Sequence, residues 1–192
     1  NKSLIIIAFI KFINLNLNHI NYNKFFMENK ITGAIIVAAG EGIRSKSTVP
    51  KQYLNFGHKM VLEKNIENFI HEPLIDFVIV VINEKHRAFY NKAIAKISSS
   101  KLLTPCYGGK TRTQSVKNGL KTISNIGCKK ILIQDGARPF TSNKIIKNCI
   151  KGLDEFDVVF PGIEITDTIY KQKKENNGKT IDELGPNRDT LI

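Results

Sequence analysis

The sequence predicts an α/β protein in which helices cover both faces of a mainly parallel sheet. From Thr32 onward, short apolar segments alternate with longer amphipathic ones. The short segments are rich in β-branched residues and end at charged or turn residues, which is typical of buried parallel strands. The longer segments repeat their apolar residues at intervals of three and four, which indicates helices that cover a sheet. This alternation favours three layers joined by right-handed crossovers.

Five brief apolar segments are the predicted strands, at residues 33–39, 77–82, 101–107, 130–135 and 157–163. Four amphipathic segments between them are the predicted helices, at residues 60–70, 84–97, 111–123 and 142–153. Ligands of such sheets bind beyond the carboxyl ends of the strands. The residues that follow each strand are therefore the candidates for chemistry.

A hairpin is predicted after the last strand. Two alternating segments, 166–174 and 179–184, flank an Asn177-Gly178 step, which is a strong hairpin signal. We expect a β-arm over about residues 164–187. Because a two-stranded ribbon buries little by itself, we expect the arm to pack on another subunit. A solvated surface hairpin is the alternative.

The composition is that of a globular protein and argues against several classes. The chain has 192 residues, of which 42% are hydrophobic and 24% charged, so it is neither disordered nor fibrous. Its three cysteines form no C-x-x-C pair, which argues against a disulfide scaffold or zinc ribbon and favours the reducing cytoplasm. The net charge of +12 suits a nucleic-acid-binding module. The lysines are scattered through helices without an aromatic platform, however, so we expect no nucleic-acid partner.

The first thirty residues are predicted to lie outside the fold. The apolar segment Leu4–Ile13 has ten residues, against the ~20 that span a bilayer. No small-x-small cleavage site follows it, so we expect neither a membrane span nor a secretory signal. The first methionine is Met27, which we expect to be the true start. Residues 1–30 are thus expected to be a non-native or disordered extension, and residues 31–192 the domain.

The first predicted strand leads into a loop of small residues and cations. The loop contains Ala38, Ala39, Gly40, Gly42 and Arg44, and Pro50-Lys51-Gln52-Tyr53 follows it. Small residues after a strand let backbone N–H groups approach a phosphate, and the two cations can supply charge to the same oxygens. This loop lacks the third glycine of the dinucleotide fingerprint and the Gly-Lys-Ser/Thr of a P-loop. A simple tight turn is the alternative.

A second cluster joins the third predicted strand to a helix and contains Gly108, Gly109, Lys110, Arg112 and Ser115. Its paired glycines permit close backbone approach. Thr111 or Thr113 can cap the helix, after which Arg112 and Ser115, three residues apart, are expected to face the same way. A capped helix with a solvated arginine is the alternative.

The third cluster, Asp135-Gly136-Ala137-Arg138-Pro139, follows the fourth predicted strand. A carboxylate at a strand end can orient ribose hydroxyls or a metal ion, and Arg138 can hold a phosphate or keep Asp135 ionised. The alternative is a structural ion pair. With Arg188 beyond the hairpin, four of the five arginines lie in loops after strands or beside the ribbon.

Together the motifs AAGEGIR, PKQY, GGKTRTQSV, DGARP and ITDT, in this order and spacing, resemble the 2-C-methyl-D-erythritol 4-phosphate cytidylyltransferases of the non-mevalonate isoprenoid pathway. The resemblance covers about residues 31–192. It implies a three-layer, Rossmann-like nucleotidyltransferase fold with a protruding β-arm that builds a homodimer. The implied reaction joins CTP to methylerythritol phosphate with release of pyrophosphate, and it uses Mg²⁺. The metal ligands are not identified.

The resemblance also implies roles for individual residues. Arg44 and Lys51 would stabilise the charged α-phosphate in the transition state. The implied nucleotide-binding residues are Ala38, Ala39, Gly40, Gly42, Gly109, Lys110, Arg112, Ser115, Asp135 and Gly136. Those implied for methylerythritol phosphate are Asp135, Arg138, Thr168 and Arg188, the last two reaching the neighbouring subunit.

The sequence departs from the family pattern at a few positions. Lys110 stands where many members have another residue, and Gly136 replaces the alanine of D-A-A-R-P. The chain reaches Ile192 without the family's T-P-Q stretch and closing elements, so an inactive fragment is one alternative, and fusion to a cyclodiphosphate synthase stays open. A sister nucleotidyltransferase that makes a CMP-sugar or a guanylylated cofactor is the other alternative.

Overall fold

The computed structural model describes residues 8–11, 31–41, 49–162, 170–175 and 178–184. The chain divides into two compact units. One covers Ile5–Phe160, and the other contains residues 161–192 together with Asn1–Leu4. All candidate site residues that the structure describes lie in the first unit.

The described elements alternate strand and helix as the sequence predicts. The strands are β1 (Ala8–Lys11), β2 (Thr32–Ala38), β3 (Asn55–Phe56), β4 (Lys59–Met60), β5 (Phe77–Ile82), β6 (Cys106–Tyr107), β7 (Lys130–Asp135), β8 (Val158–Val159), β9 (Tyr170–Glu175) and β10 (Gly178–Leu184). The α-helices are α1 (Val61–Ile70), α2 (Arg87–Ile94), α3 (Arg112–Ile123) and α4 (Asn143–Glu155). Short 3-10 turns cover Lys51–Tyr53, Glu84–His86 and Ser124–Ile126.

A six-stranded sheet in the order β6-β5-β2-β7-β1-β8 forms the centre of the first unit. Strand β2 lies between β5 and β7 and runs parallel to both. Strand β6 extends the parallel part, whereas β1 pairs antiparallel with β7 and β8. The carboxyl ends of β2, β5, β6 and β7 therefore meet at one edge, where ligands of open α/β sheets bind.

Helices cover both faces of this sheet, which confirms the predicted fold class. On one face the buried residues of α1, α2 and α4 form one core with alternate residues of β2 and β5, such as Ile36 and Val80. On the opposite face α3 packs on the intervening residues, such as Ile35 and Val81. Because successive side chains of a strand point to opposite faces, an all-apolar strand serves both cores at once.

The N-terminal strand differs from the sequence expectation. Residues 1–30 were expected to lie outside the fold, but Ala8–Lys11 pairs with both β7 and β8 inside the sheet. The physical reason is that neighbouring strands of a sheet need paired backbone N–H and C=O groups, and a short apolar segment supplies them. Residues 1–7 and 12–30, with Met27, lie outside the described residues.

The two sheet edges are shorter than predicted. The predicted strand 101–107 pairs as β6 only at Cys106–Tyr107, with an isolated bridge at Leu102. The predicted strand 157–163 forms β8 only at Val158–Val159. Both are edge strands, which have a partner on one side alone. The predicted helix 84–97 also begins later, because Glu84–His86 forms a 3-10 turn capped by Asn83 before α2.

The second unit contains the predicted hairpin. Strands β9 and β10 pair antiparallel, with Gly178 opposite Glu175 and an irregularity in register between Ile181 and Glu183. The turn residues 176–177, and Thr168 and Arg188 on either side of the hairpin, lie outside the described residues. The hairpin itself is thus present, while its protrusion as an arm stays a prediction.

Within the described residues, every helix is too short or too polar to span a bilayer.

Candidate functional site

The three predicted loops meet at the carboxyl edge of the sheet. Gly136 donates a backbone hydrogen bond to Val37 O at 2.8 Å, which joins the loop after β7 to the end of β2. A Cβ added at Gly108 would lie 2.3 Å from Ala39 Cβ, and one at Gly136 would lie 2.8 Å from Ala38 Cβ. The loops after β6 and β7 therefore both contact the loop after β2, and they leave no room for side chains at these glycines.

Two arginines from different loops converge on one carboxylate. Arg112, the first residue of α3, donates from Nε and Nη2 to Asp135 Oδ1 at 3.0 and 2.9 Å. Arg138 approaches the second oxygen of the same carboxylate, with Nε 3.2 Å from Asp135 Oδ2. The guanidinium groups are partly exposed, and Arg138 Nη1 is a buried donor with no partner among the described residues. The cluster carries two positive charges against one negative charge, so an anion can bind beside it.

The loop before α3 is closed by side chains of its own helix. Thr111 is the helix N-cap, and its Oγ1 accepts a hydrogen bond from Gln114 N at 3.1 Å. The buried Ser115 hydroxyl accepts from Gly109 N at 3.1 Å and donates to Thr111 O at 2.9 Å. Of the two capping residues that the sequence allows, Thr111 is therefore the one used. Arg112 and Ser115 were expected to face the same way, but Arg112 turns to Asp135 while Ser115 closes the Gly108-Gly109 loop.

Lys51 stands exposed beside this edge because its neighbours anchor the turn. Gln52 and Tyr53, on the same 3-10 turn, are both buried. Gln52 Nε2 donates to Ala38 O at 2.7 Å and to Gly40 O at 2.9 Å, which ties the turn to the loop after β2. The Tyr53 ring stacks on Phe89 with 5.4 Å between ring centroids. Lys51 is thereby held next to the loop whose residues were predicted to bind nucleotide.

Several amide side chains that the sequence analysis did not single out hold the loop after β7. Gln134 is fully buried, and its Nε2 donates to Arg138 O at 2.7 Å and to Asp135 O at 3.2 Å. From α1, Asn65 donates to Asp135 O at 3.0 Å and Asn68 to Pro139 O at 2.9 Å. A polar residue inside an apolar strand, as at Gln134, was the signal available in the sequence.

Burial shifts the pKa of three titratable side chains near the site. Burial raises the pKa of the Tyr53 and Tyr90 phenols, and burial lowers the pKa of His86. Tyr53 and His86 pack with Phe89 in an aromatic cluster. The charged members of the described site are Lys51, Lys110, Arg112, Asp135 and Arg138.

The described residues contain no group of three His, Cys, Asp or Glu side chains placed to hold a metal ion. Mg²⁺ in nucleotide sites is usually held by substrate phosphates with one or two carboxylates. The one carboxylate among the described members of the predicted site, Asp135, faces two guanidinium groups. Asp135 is therefore already engaged by the two arginines.

Four of the predicted site residues lie outside the described residues: Gly42, Arg44, Thr168 and Arg188. The remaining predicted residues come together at the carboxyl edge of the sheet or border it: Ala38, Ala39, Gly40, Lys51, Gly109, Lys110, Arg112, Ser115, Asp135, Gly136 and Arg138.

An open α/β sheet with contacting glycine loops and paired arginines at its carboxyl edge defines a protein of the nucleotide-binding α/β type. Comparison with known proteins narrows this class. A family model described as 2-C-methyl-D-erythritol 4-phosphate cytidylyltransferase matches residues 32–191. The chain belongs to this family, which confirms the resemblance noted in the sequence.

Comparison with individual curated proteins supports this assignment. The chain is 43% identical over 138 residues to a bifunctional enzyme IspD/IspF of Wolbachia pipientis, covering 71% of this chain and 35% of that protein. It is 41% identical over 151 residues to a 2-C-methyl-D-erythritol 4-phosphate cytidylyltransferase of Clostridium acetobutylicum, covering 78% of this chain and 65% of that protein. The chain thus spans about a third to two thirds of the length of the curated relatives it matches.

Solved structures show the same fold. The 4-diphosphocytidyl-2C-methyl-D-erythritol synthase of Anaerococcus prevotii superposes with a TM-score of 0.68 at 26% identity, covering 88% of this chain and 68% of that chain. The bifunctional IspDF of Campylobacter jejuni superposes with a TM-score of 0.58 at 22% identity, covering 80% of this chain and 37% of that chain. The latter likeness concerns the fold alone.

Proposed function

We propose that this chain transfers a cytidylyl group from CTP to 2-C-methyl-D-erythritol 4-phosphate and releases pyrophosphate. The observation that carries the proposal is the convergence of Arg112 and Arg138 on Asp135, beside the loop at Ala38–Gly40. Paired guanidinium groups at the carboxyl edge of a parallel sheet suit an anionic substrate. Membership of the cytidylyltransferase family names the substrates that fit this chemistry.

The proposed chemistry is an in-line displacement at the α-phosphorus. A phosphate oxygen of methylerythritol phosphate attacks this atom, a new P–O bond forms, and the bond to the bridging oxygen breaks, so pyrophosphate leaves. The attacking oxygen is already anionic, so little general-base catalysis is needed. Catalysis is then positioning plus electrostatic stabilisation of the five-coordinate phosphorus. We assign this stabilisation to Lys51 and Arg44.

The loops divide the two substrates between them in this proposal. The backbone at Ala38, Ala39 and Gly40 binds the triphosphate, and Gly109, in the loop closed by Ser115, reads the cytosine. Asp135 and Gly136 approach the ribose, and Arg138 holds the phosphate of methylerythritol phosphate. The unpartnered Arg138 Nη1 supports this last role, because a buried donor is costly unless an acceptor reaches it.

Magnesium is the proposed cofactor. Bound with CTP, Mg²⁺ would neutralise charge on the phosphate oxygens. Among the described residues, Lys51, Arg112 and the backbone N–H groups after β2 would contact the same phosphates, together with Arg44. The protein's own contribution is to hold these donors in place.

We also propose a homodimer formed through the β9–β10 hairpin, with Thr168 and Arg188 reaching the substrate in the neighbouring subunit. The antiparallel pairing of Tyr170–Glu175 with Gly178–Leu184 supports it, because an isolated ribbon buries little apolar surface. Sedimentation velocity at increasing protein concentration tests this proposal. A monomer at all concentrations would contradict it.

The cytoplasm is the proposed location, because all three cysteines are free thiols.

A pyrophosphate-release assay with CTP, methylerythritol phosphate and Mg²⁺ tests the main proposal. We expect release that requires both substrates and falls sharply when GTP replaces CTP. Release with GTP, or with a sugar in place of methylerythritol phosphate, would favour the sister nucleotidyltransferases. The absence of both turnover and CTP binding would refute the proposal for this chain.

A further inference from the structure

Gln52 is buried directly under the predicted nucleotide loop, with 5% of its surface exposed. Its amide nitrogen donates to Ala38 O at 2.7 Å and to Gly40 O at 2.9 Å. We call these two hydrogen bonds the Gln52 bridge. A carboxamide NH₂ has two donor hydrogens, so the bridge uses the full donor capacity of the group.

The bridge fixes the direction of two peptide groups. In a planar trans peptide the C=O and the N–H of the next residue point in opposite directions. Because Ala38 O and Gly40 O point at Gln52, the N–H groups of Ala39 and Glu41 point away from it. Gly40 and Glu41 are exposed, and a Cβ added at Gly40 would meet no described atom within 4 Å. The bridge therefore turns both N–H groups away from Gln52, and an anion approaching the exposed Gly40–Glu41 segment can accept from them.

The same residue also fixes Lys51. Gln52 lies one position after Lys51 on the 3-10 turn, and Tyr53 anchors the other end of the turn against Phe89 and His86. Lys51 is exposed, with Pro50 and Gln52 buried on either side. Gln52 therefore joins the turn that carries Lys51 to the backbone of the loop after β2.

We propose that Gln52 is a positioning residue of the cytidylyl-transfer site, one that turns the N–H groups of Ala39 and Glu41 toward the triphosphate and holds Lys51 beside them. This inference rests on the proposed function for its ligand. Gln52 itself touches no substrate, because its amide is buried and both of its hydrogens are engaged.

The decisive variant is Gln52→Glu, which keeps the shape and removes the donors. An ionised carboxylate would face two carbonyl oxygens, so the loop would move away from Lys51. We expect the Kd for CTP to rise and kcat/KM to fall by about 10 to 100-fold at pH 8. This is the effect expected from the loss of two hydrogen bonds. The protonated carboxyl can donate one hydrogen bond, so the deficit relative to the unaltered chain should shrink as the pH is lowered.

Tyr53→Phe is the matched control on the same turn. The Tyr53 hydroxyl is buried and has no partner among the described residues, so its removal should leave CTP binding and turnover unchanged. Gln52→Glu could instead lower only the melting temperature and leave the Kd for CTP and kcat/KM equal to those of the unaltered chain at every pH. That result would show that Gln52 is not a positioning residue.

A third measurement separates this inference from the proposed function. The backbone amide resonances of Ala39, Gly40 and Glu41 should shift in Gln52→Glu and stay in place in Tyr53→Phe, without any ligand. If the unaltered chain neither turns over nor binds CTP, the proposed function fails, while these resonances still test the bridge. If they are unchanged in Gln52→Glu, the bridge does not position the loop and the inference fails.

Discussion

Lys51 is the exposed member of a turn whose other residues are buried, and this arrangement makes its removal a clean experiment. Lys51→Ala should leave the fold intact because the side chain is exposed. If Lys51 stabilises the α-phosphate, kcat should fall by about 10² to 10³, the usual cost of losing one preorganised electrostatic group. Pyrophosphate release measures the effect, and the melting temperature should be unchanged.

Lys121→Ala provides the control for this variant. Lys121 is also exposed, but it lies in the last turn of α3, at the opposite end from Arg112. Its removal changes the net charge equally and should leave turnover unaltered. Equal losses in the two variants would show that net charge, and not the position of Lys51, matters.

At the scale of single residues, the sequence predicted the cations better than their partners. Arg112, Asp135 and Arg138 could be chosen because charged groups after strands are informative by themselves. Gln52 acts on backbone carbonyls whose positions depend on the folded loops, so residue type and spacing could not assign it. Gln134 offered only the signal of a polar residue inside an apolar strand. Ser115 was singled out, but the closure of its own loop by its hydroxyl was not predicted.

At the scale of elements, the contact between loops gives a steric prediction. Gly108→Ala places a methyl group 2.3 Å from Ala39 Cβ, so the loops after β2 and β6 must separate. We expect a loss of about 1–3 kcal/mol in the free energy of unfolding, measured by urea denaturation. Gly40→Ala, where the new methyl group meets no described atom within 4 Å, should cost far less. Equal stability of the two variants would contradict the observed loop contact.

A buried lysine joins strand β7 to helix α4. Lys130 Nζ donates to Ile150 O at 2.9 Å and lies 2.7 Å from Asp154 Oδ1. Lys130→Met keeps the apolar stem but leaves the buried carbonyl without this donor. We expect it to lower the free energy of unfolding by about 1–3 kcal/mol.

Asp154→Asn is the companion variant for Lys130→Met. The Asp154 side chain is half exposed, and its change leaves the bond to Ile150 O in place. The expected cost is at most about 1 kcal/mol, as for an exposed ion pair. A larger loss in Asp154→Asn than in Lys130→Met would place the stabilisation in the charge pair instead.

Two central strands, β5 and β7, were predicted to their ends. They coincide with their apolar segments because all residues of β5, and all of β7 except Asp135, are buried between layers. The edge strands β6 and β8 are shorter than their apolar segments, since apolar character reports burial and not pairing. The helix at 84–97 was predicted too long because its periodicity continues through a 3-10 turn.

At the scale of the whole molecule, the buried thiols make stability depend on alkaline pH. Burial raises the pKa of Cys128 and of Cys149 from 9.0 to about 11. The folded chain therefore keeps thiol protons that the unfolded chain loses, and the free energy of unfolding should fall as the pH rises from 9 to 11. The expected fall is about 1–2 kcal/mol for each thiol, measured by urea denaturation across this range.

Cys128→Ala combined with Cys149→Ala checks the origin of this pH dependence. Without the two thiols, the decline should become shallower, although Tyr53 and Tyr90 still contribute above their ordinary pKa. An unchanged slope would assign the decline to other groups.

The global arrangement of the sheet was only partly predictable. The parallel core and both helical layers follow from alternating apolar segments, each of which specifies its own burial. The insertion of Ala8–Lys11 between β7 and β8 could not be predicted from such segments, because it joins residues more than a hundred positions apart in the chain. Such long-range pairing leaves no local pattern in a segment of four residues.

Asp135 gives the arginine pair a built-in counter-ion. Any anion that binds Arg112 and Arg138 has to compete with a carboxylate that already neutralises part of their charge. Binding thus exchanges one ion pair for another and releases fewer salt ions from solution than two unpaired guanidinium groups would. The affinity of this pair for a phosphate should consequently be less sensitive to ionic strength than the strongly basic composition of the chain suggests.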